Sequence, residues 1–447
     1  MDSVLRFFKK YIVPEFIFTR LQPIYHLILS FLGALFYGFP SRKMIVIGVT
    51  GTKGKTTTCN LIAQILNSAG LKTGMATTVN FRIGDKEWVN ETKQTMLGRF
   101  KLQKLLREMT KNSCKYAVIE TSSEGILQYR HLFIDYSVAV FTNLSPEHIE
   151  RHGGFEKYRA AKIKLFEKVA QKKDGVGIYN LDDKNVEYFL GPRVKNKYGY
   201  HAKISNSKFL ISNKFQISNI KLLPSKTFFD FDGEEFETTL IGEFNAYNAA
   251  CAITTAVSQD IPISKIKDSL RNAKPAPGRM EVISQGQNFT VIIDYSYEPK
   301  GLEEALKTLK IFNPRQIIAL VGSAGGGRDK WRRPVMGEVT DKYADIVVVT
   351  TDDPYDDDPE KIVDEVLAGA LKNPARILEK NIFRIVDRRE AIKKAITIAE
   401  KGDVVLLAGK GGEKWMSVAD GKKIPWDERA IAEEMLCNLR KNDLSQF

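Results

Sequence analysis

The chain is poor in residues that build metal clips or cross-links. Four cysteines, Cys59, Cys114, Cys251 and Cys437, are scattered over 447 residues without a Cys-x-x-Cys pair. That excludes a zinc ribbon and gives no sign of a disulfide framework. They read as small core residues in a reduced setting, so a cytoplasmic location is expected. Long apolar runs are also missing. The stretch from Ile24 to Phe39 is interrupted by His26 and Ser30, and its length of about 16 residues falls short of the roughly 20 that span a bilayer. No small-residue cleavage site follows it, which disfavours a signal peptide. There is no internal repeat, heptad run or low-complexity tract. No basic–aromatic tract of the kind that tracks single-stranded nucleic acid is present, so no nucleic-acid partner is expected. With 43% hydrophobic and 27% charged residues, neither a largely disordered chain nor a polytopic membrane protein fits.

What is present begins with charge and length. Lys and Arg number 67 against 54 Asp and Glu, a net +13, which suggests anionic partners without choosing among them. The length implies more than one domain. Residues 1–43 carry Arg6, Lys9, Lys10, Arg20, Arg42 and Lys43 beside the apolar stretch. A helix docked on the next domain and peripheral contact with a membrane surface both suit such a segment.

From Met44 onward the pattern is α/β. Met44–Val49 is a short β-branched run of the kind buried in a parallel sheet, followed by a Gly-rich loop and a helical pattern from Thr56 to Ser68. Strands are predicted at Tyr116–Glu120 and Ser137–Thr142, and a helix over Phe155–Val169. Residues 172–240 read as β-rich. Helices follow at Asn245–Ser258 and Ser264–Asn272, with Ser264 as N-cap. The Pro-rich joint Lys274–Gly278 marks a boundary. Beyond it, strands at Thr290–Asp294, Gln316–Val321, Asp345–Thr350 and Val404–Ala408 alternate with helices. The expected fold is a P-loop-containing central domain with a parallel sheet (44–274) plus a Rossmann-like C-terminal α/β domain (275–447), preceded by the short segment 1–43.

The strongest local signal is Gly48-Val49-Thr50-Gly51-Thr52-Lys53-Gly54-Lys55-Thr56-Thr57. Glycines let the backbone wrap a phosphate, the helix N-terminus offers N–H groups, and Lys55 supplies a charge. Thr56 can place its hydroxyl on Mg²⁺. Five residues rather than four separate Gly48 from Gly54, a departure from the usual P-loop spacing. Glu120 closes a buried strand, where a carboxylate is costly unless it pairs or binds metal. His148 and Lys162 are each weak signals alone.

Taken in order, these segments resemble the Mur ligase family. The carrying motifs are Gly51-Thr52-Lys53-Gly54-Lys55-Thr56-Thr57, Glu120-Thr121-Ser122-Ser123, and Thr142-Asn143-Leu144 with His148. They continue through Gly242–Ala250, Gly278-Arg279-Met280-Glu281, Asp294-Tyr295, Gly327-Arg328-Asp329-Lys330, and Ala408-Gly409-Lys410-Gly411 with Glu413. Within the family the chain looks most like the branch that adds the third residue of the peptidoglycan stem.

The resemblance implies an ATP-dependent, ADP-forming ligase that joins an amino acid to a UDP-N-acetylmuramyl-dipeptide through an acyl phosphate. Its implied partners are small molecules, and a monomer is expected. By the same resemblance, Gly51–Thr57 with Lys55, Asn248, Arg279 and Asp294 contact ATP. Thr56, Glu120, His148 and a carbamylated Lys162 serve Mg²⁺, with Lys55, Glu120, His148 and Lys162 as the catalytic set. Ser122, Gln128 and Arg130 grip the acceptor; Arg328, Asp352, Asp353, Tyr355 and Glu413 receive the incoming amino acid.

Some positions depart from the family pattern. Glu124, Tyr297 and Gly412 stand where the family usually has histidine. Asp352-Asp353-Pro354-Tyr355 lacks the arginine that grips diaminopimelate, and Asp356, Asp357 and Asp358 add negative charge. These features favour a diamino acid such as L-lysine. Residues 1–43 are too few for the family's N-terminal UDP-binding domain, which leaves a lipid-linked or other non-UDP acceptor open. A folylpolyglutamate-synthetase-like ligase is the nearest alternative, and the acidic run should repel its glutamate. The amidating branch with a glutaminase partner lacks its cysteine cluster here.

Overall fold

The structure is a computed structural model that describes residues 15–92, 94–146, 152–202, 211, 213–327 and 330–444. It divides into two compact units. One comprises Met1–Gln216 with Ala250–Ile266, the other Ile217–Ala249 with Lys267–Phe447.

In the first unit the strands are β1 (Ile45–Thr50), β2 (Thr73–Ala76), β3 (Asn80–Ile83), β4 (Lys86–Val89), β5 (Tyr116–Glu120), β6 (Tyr136–Phe141), β7 (Val176–Asn180) and β8 (Asn196–His201). Their order is β8-β7-β6-β1-β5-β2-β3-β4. All pairings are parallel except those of β3 and β4, which form an antiparallel edge. The chain leaves β1 through the helix Lys55–Ser68 towards β2, returns to β5, then crosses to β6 on the other side of β1. The carboxyl end of β1 is therefore a topological switch point, where open α/β sheets place their ligands. Continuous apolar strands suit a sheet covered on both faces. Val46, Ile119, Phe141, Phe166 and Phe189 belong to its core, with the rings of Phe141 and Phe189 stacked at 3.9 Å.

In the second unit, the later part of β9 (Asn213–Leu222) pairs with β10 (Thr227–Phe231), which pairs with β11 (Glu234–Thr238), as an antiparallel meander. A six-stranded sheet follows, built from β12 (Glu281–Ile283), β13 (Thr290–Asp294), β14 (Ile317–Val321), β15 (Ile346–Val349), β16 (Ile382–Arg384) and β17 (Val404–Ala408) in the order β12-β13-β17-β14-β15-β16. Only β12 is antiparallel. Alternation along β14 sends Ile317, Ala319 and Val321 into one core and Ile318 and Leu320 into the other. A doubly wound sheet between two helical layers needs that pattern.

Residues 172–240 are β-rich as expected, but β7 and β8 are parallel strands of the main sheet with a helix, Val186–Leu190, between them. Ser264 is not the N-cap. The helix spans Ile263–Arg271, and the Pro262 carbonyl already accepts from the Ile266 N–H at 3.2 Å, so Ser264 lies in its first turn.

Candidate active site

The loop after β1 is held in one shape by the end of β6. Thr142 Oγ1 donates to the Lys53 carbonyl at 2.7 Å, Asn143 Nδ2 donates to the same oxygen at 3.1 Å, and the Lys53 N–H donates to Asn143 Oδ1 at 2.9 Å. The Thr52 N–H donates to the Asn143 carbonyl at 2.8 Å. Thr52 is itself a brace: its buried hydroxyl donates to the Ser145 carbonyl, accepts from the Ser145 N–H, and meets Tyr158 Oη at 3.0 Å. Gly51 has φ +149°, and a Cβ there would fall 2.0 Å from Thr142 Oγ1. Gly54 is left-handed at φ +78°, and no side chain caps the helix Lys55–Ser68 that it opens. A rigid loop thus presents an uncapped helix N-terminus at a switch point, the arrangement that binds phosphate.

Around this loop stand four of the expected residues. Lys55 Nζ donates to the Thr52 carbonyl at 2.8 Å. Thr56 Oγ1 donates to Glu120 Oε2 at 2.9 Å, and the Thr78 N–H donates to the same oxygen at 2.8 Å. Glu120 is only 2% exposed. Lys162, equally buried, donates from Nζ to the Gly51 carbonyl at 2.7 Å and lies 4.6 Å from the centre of the Tyr158 ring. A hydroxyl and a carboxylate side by side at the end of a phosphate loop fit a hard divalent cation carried with a nucleotide phosphate chain. Among the described residues, no group of three or more His, Cys, Asp or Glu converges as a metal cluster. The expected ligand His148 lies outside the described residues.

Of the expected acceptor residues, Gln128 and Arg130 meet, while Ser122 has a capping role. Ser122 caps the short helix Ser123–Leu127, accepting from the Gly125 N–H. Arg130 donates to Gln128 Oε1 from Nε at 3.0 Å and from Nη2 at 2.6 Å, and Arg99 donates to the Gln128 carbonyl. Burial and the neighbouring Arg130 lower the Arg99 pKa to about 10. Burial, then Arg99 and Arg130, lower that of His26 to about 4. Two arginines crowded together, with Glu124 offsetting only part of the charge on Arg130, suit an anionic ligand.

In the second unit the expected residues collect after the carboxyl ends of β13, β15 and β17. Asp294 accepts from the Met280 N–H and from Ser296 Oγ. Arg279 stacks over the Tyr295 ring at 4.5 Å, and its buried Nε has no hydrogen-bond partner among the described residues. Arg279 also lines a cavity of about 580 Å³ with Asn245, Lys274, Met280 and Arg429. Asn248 Nδ2 donates to Asn245 Oδ1.

A residue missed in the sequence organises the rest. Lys410, fully buried, donates to Asp353 Oδ1 at 2.8 Å and Glu413 Oε2 at 2.6 Å, with Asp352 at 3.8 Å. Burial opposes its charge, but Asp352, Glu413 and Asp353 outweigh that and raise its pKa. Burial raises the Asp352 pKa against the pull of Lys410. Arg388, paired with Glu428, props the same region by donating to the Thr351 and Ala408 carbonyls. Lys410 sits inside a motif that the sequence displays; Arg388 and Glu428 lie outside those motifs.

The acidic run is mostly engaged internally. Asp353 also accepts from the Ser417 N–H, Asp357 pairs with Arg333 at 2.6 Å, and Asp358 caps the helix Pro359–Ala370. Asp356 accepts from the Asp420 N–H. Tyr355 is held at φ +53° with its N–H on the Ser417 carbonyl. Arg328 lies outside the described residues.

Comparison with known proteins gives the family. Residues 49–256 match the Mur ligase middle domain, and residues 278–411 match the Mur ligase, glutamate ligase domain. A UDP-N-acetylmuramoyl-L-alanyl-D-glutamate–2,6-diaminopimelate ligase of Geobacillus thermodenitrificans is 36% identical over 414 residues, covering 90% of this chain and 81% of the relative. A UDP-N-acetylmuramyl-tripeptide synthetase of Roseiflexus sp. is 35% identical, covering 91% and 81%. Among solved structures, a UDP-N-acetylmuramoyl-L-alanyl-D-glutamate–2,6-diaminopimelate ligase matches with a TM-score of 0.61 at 29% identity, over 89% of this chain and 79% of that one. Folylpolyglutamate synthase of Mycobacterium tuberculosis, complexed with ADP, shares the fold with a TM-score of 0.66 at 16% identity, over 86% and 91%.

The chain belongs to the Mur ligase family. Within that class it is an ATP-dependent, ADP-forming amide ligase.

Proposed function

We propose that this ligase joins an amino acid to the reacting carboxylate of a UDP-N-acetylmuramyl-dipeptide. One carboxylate oxygen attacks the γ-phosphorus of ATP and ADP leaves. The amine then attacks the acyl carbon, loses a proton, and phosphate departs with the oxygen it gained. The observation that carries this reading is the clamped loop Gly51–Thr57, with Glu120 on Thr56 and Lys162 on the Gly51 carbonyl.

In this reading Lys55 and the helix N-terminus hold the β- and γ-phosphates, while Thr56 and Glu120 hold Mg²⁺, which neutralises the charge on the transferring group. Lys162, as a carbamate, supports a second ion with His148. Asn248, Arg279 and Asp294 hold the rest of the nucleotide. Ser122, Gln128 and Arg130 orient the acceptor, a positioning task worth much of the barrier. Arg328 holds the α-carboxylate of the incoming amino acid and Glu413 its amine. The central and C-terminal domains are assigned to 44–274 and 275–447, a division supported by the two matched segments.

The added residue is proposed to be a diamino acid such as L-lysine. Tyr355 in place of an arginine supports this, because no cation there meets a distal carboxylate. The acidic run supports it less than its composition implies, since Asp353, Asp357 and Asp358 have structural partners.

Purified protein with ATP and Mg²⁺ tests the proposal. Phosphate release should need both the UDP-N-acetylmuramyl-dipeptide and an amino acid, with lysine or ornithine exceeding diaminopimelate and glutamate. Release indifferent to the acceptor sinks the ligase assignment; preference for diaminopimelate sinks the specificity assignment alone.

A further inference from the structure

The helix Glu15–Phe36 is built inside out. A surface helix ordinarily buries its apolar stripe and turns polar residues to water. Here the side packed on the protein carries small or polar residues. Ser30 is 2% exposed and donates from Oγ to the Tyr129 carbonyl at 2.8 Å, Ala34 is fully buried, and a Cβ on Gly33 would lie 3.5 Å from the Arg99 carbonyl. The opposite side shows Leu21, Ile24, Ile28, Leu32, Leu35 and Phe36 to solvent, the last at 75%. Their spacing places them along one side of about four and a half turns of 3.6-residue periodicity, so they form a stripe rather than scattered residues. Phe100 extends the stripe onto the neighbouring helix Arg99–Lys111, its ring 6.5 Å from that of Phe36.

Charge around the stripe is mostly basic. Residues 15–43 contain Arg20, Arg42 and Lys43 against Glu15 alone; residues 97–111 contain Arg99, Lys101, Lys104, Arg107 and Lys111 against Glu108 alone. Arg42, Lys43, Lys101 and Lys104 are exposed. No helix of the described residues is long and apolar enough to cross a membrane.

We propose that this stripe lies in the surface of an anionic phospholipid bilayer, with the helix parallel to the membrane plane. Apolar side chains enter the headgroup–acyl boundary and the flanking cations meet lipid phosphates. A second copy of the chain fits worse, because a two-fold contact through this stripe would bring like-charged borders together. The placement would hold the ligase at the membrane.

Vesicle sedimentation of the full chain tests this. Two vesicle types are used: phosphatidylcholine alone, and phosphatidylcholine mixed with an equal amount of phosphatidylglycerol. The protein should sediment with the anionic vesicles, less with the neutral ones, and progressively less as salt rises. Ile28→Asp with Leu35→Asp should weaken binding at least about tenfold, and Lys101→Glu with Lys104→Glu should remove the preference for anionic lipid. Both variants change exposed positions, and circular dichroism melts matching the parent would show that they fold. Sedimentation unaffected by anionic vesicles overturns the proposal. So does a concentration-dependent dimer that the Ile28→Asp/Leu35→Asp variant dissolves, which would make the stripe a copy-to-copy interface.

Discussion

Replacing Gly51 by alanine strikes the phosphate loop where its shape is set. The backbone there has φ +149°, and the new Cβ would meet Thr142 Oγ1 at 2.0 Å and the Asn143 carbonyl at 3.0 Å. Thr142 must turn away, releasing its 2.7 Å bond to the Lys53 carbonyl. A strained backbone costs about 1–3 kcal/mol, and the lost hydrogen bond costs about 1 kcal/mol more. The sum of about 2–4 kcal/mol corresponds to roughly 30- to 700-fold weaker ATP binding. Isothermal titration of Gly51→Ala with ATP reads that loss, and an unfolding midpoint recorded alongside shows any share taken by the fold. Adding Thr142→Ala removes the clashing oxygen, so the double variant should bind about tenfold better than additivity predicts. ATP affinity within threefold of the parent, or strictly additive losses, would refute the idea that Thr142 and Gly51 jointly shape the site.

Other consequences follow from the same contacts. Lys410→Met leaves Asp352, Asp353 and Glu413 together without their buried cation, and denaturant unfolding should show a loss of about 3–5 kcal/mol; a loss below about 1 kcal/mol would contradict the network. Burial, then Lys168 and Lys164, lower the His131 pKa to about 3. The unfolded state therefore takes up the proton first, and stability falls as pH drops below 6.5, by about 2 kcal/mol between pH 8 and pH 5. His131→Gln should flatten that part of the profile, and an unchanged slope would exclude His131 as its source. Lys162→Ala should abolish turnover, with partial recovery on adding a short carboxylic acid or in Lys162→Glu; full activity in the alanine variant would refute the carbamate role.

The sheet, the phosphate loop and the order of the site segments were legible because each is local. Ile45–Thr50 and Tyr116–Glu120 are continuous apolar runs, and the glycines of the loop announce backbone shapes that other residues avoid. What stayed hidden depends on partners far along the chain. The acidic run looked like free negative charge because Arg333 and Lys410, its partners, lie 24 and 57 residues away from Asp357 and Asp353. Arg388 finds its carboxylate, Glu428, 40 residues downstream. Composition at the N-terminus likewise left the direction of the helix open, since only packing reveals that Ser30 and Ala34 face inward.

The central claim is that a substrate carboxylate carries the phosphoryl group before the amine attacks. Acceptor labelled with ¹⁸O in its reacting carboxylate, turned over with ATP and the preferred amino acid, should release phosphate in which one ¹⁸O has come from that carboxylate. Released phosphate without the label would contradict the acyl-phosphate route.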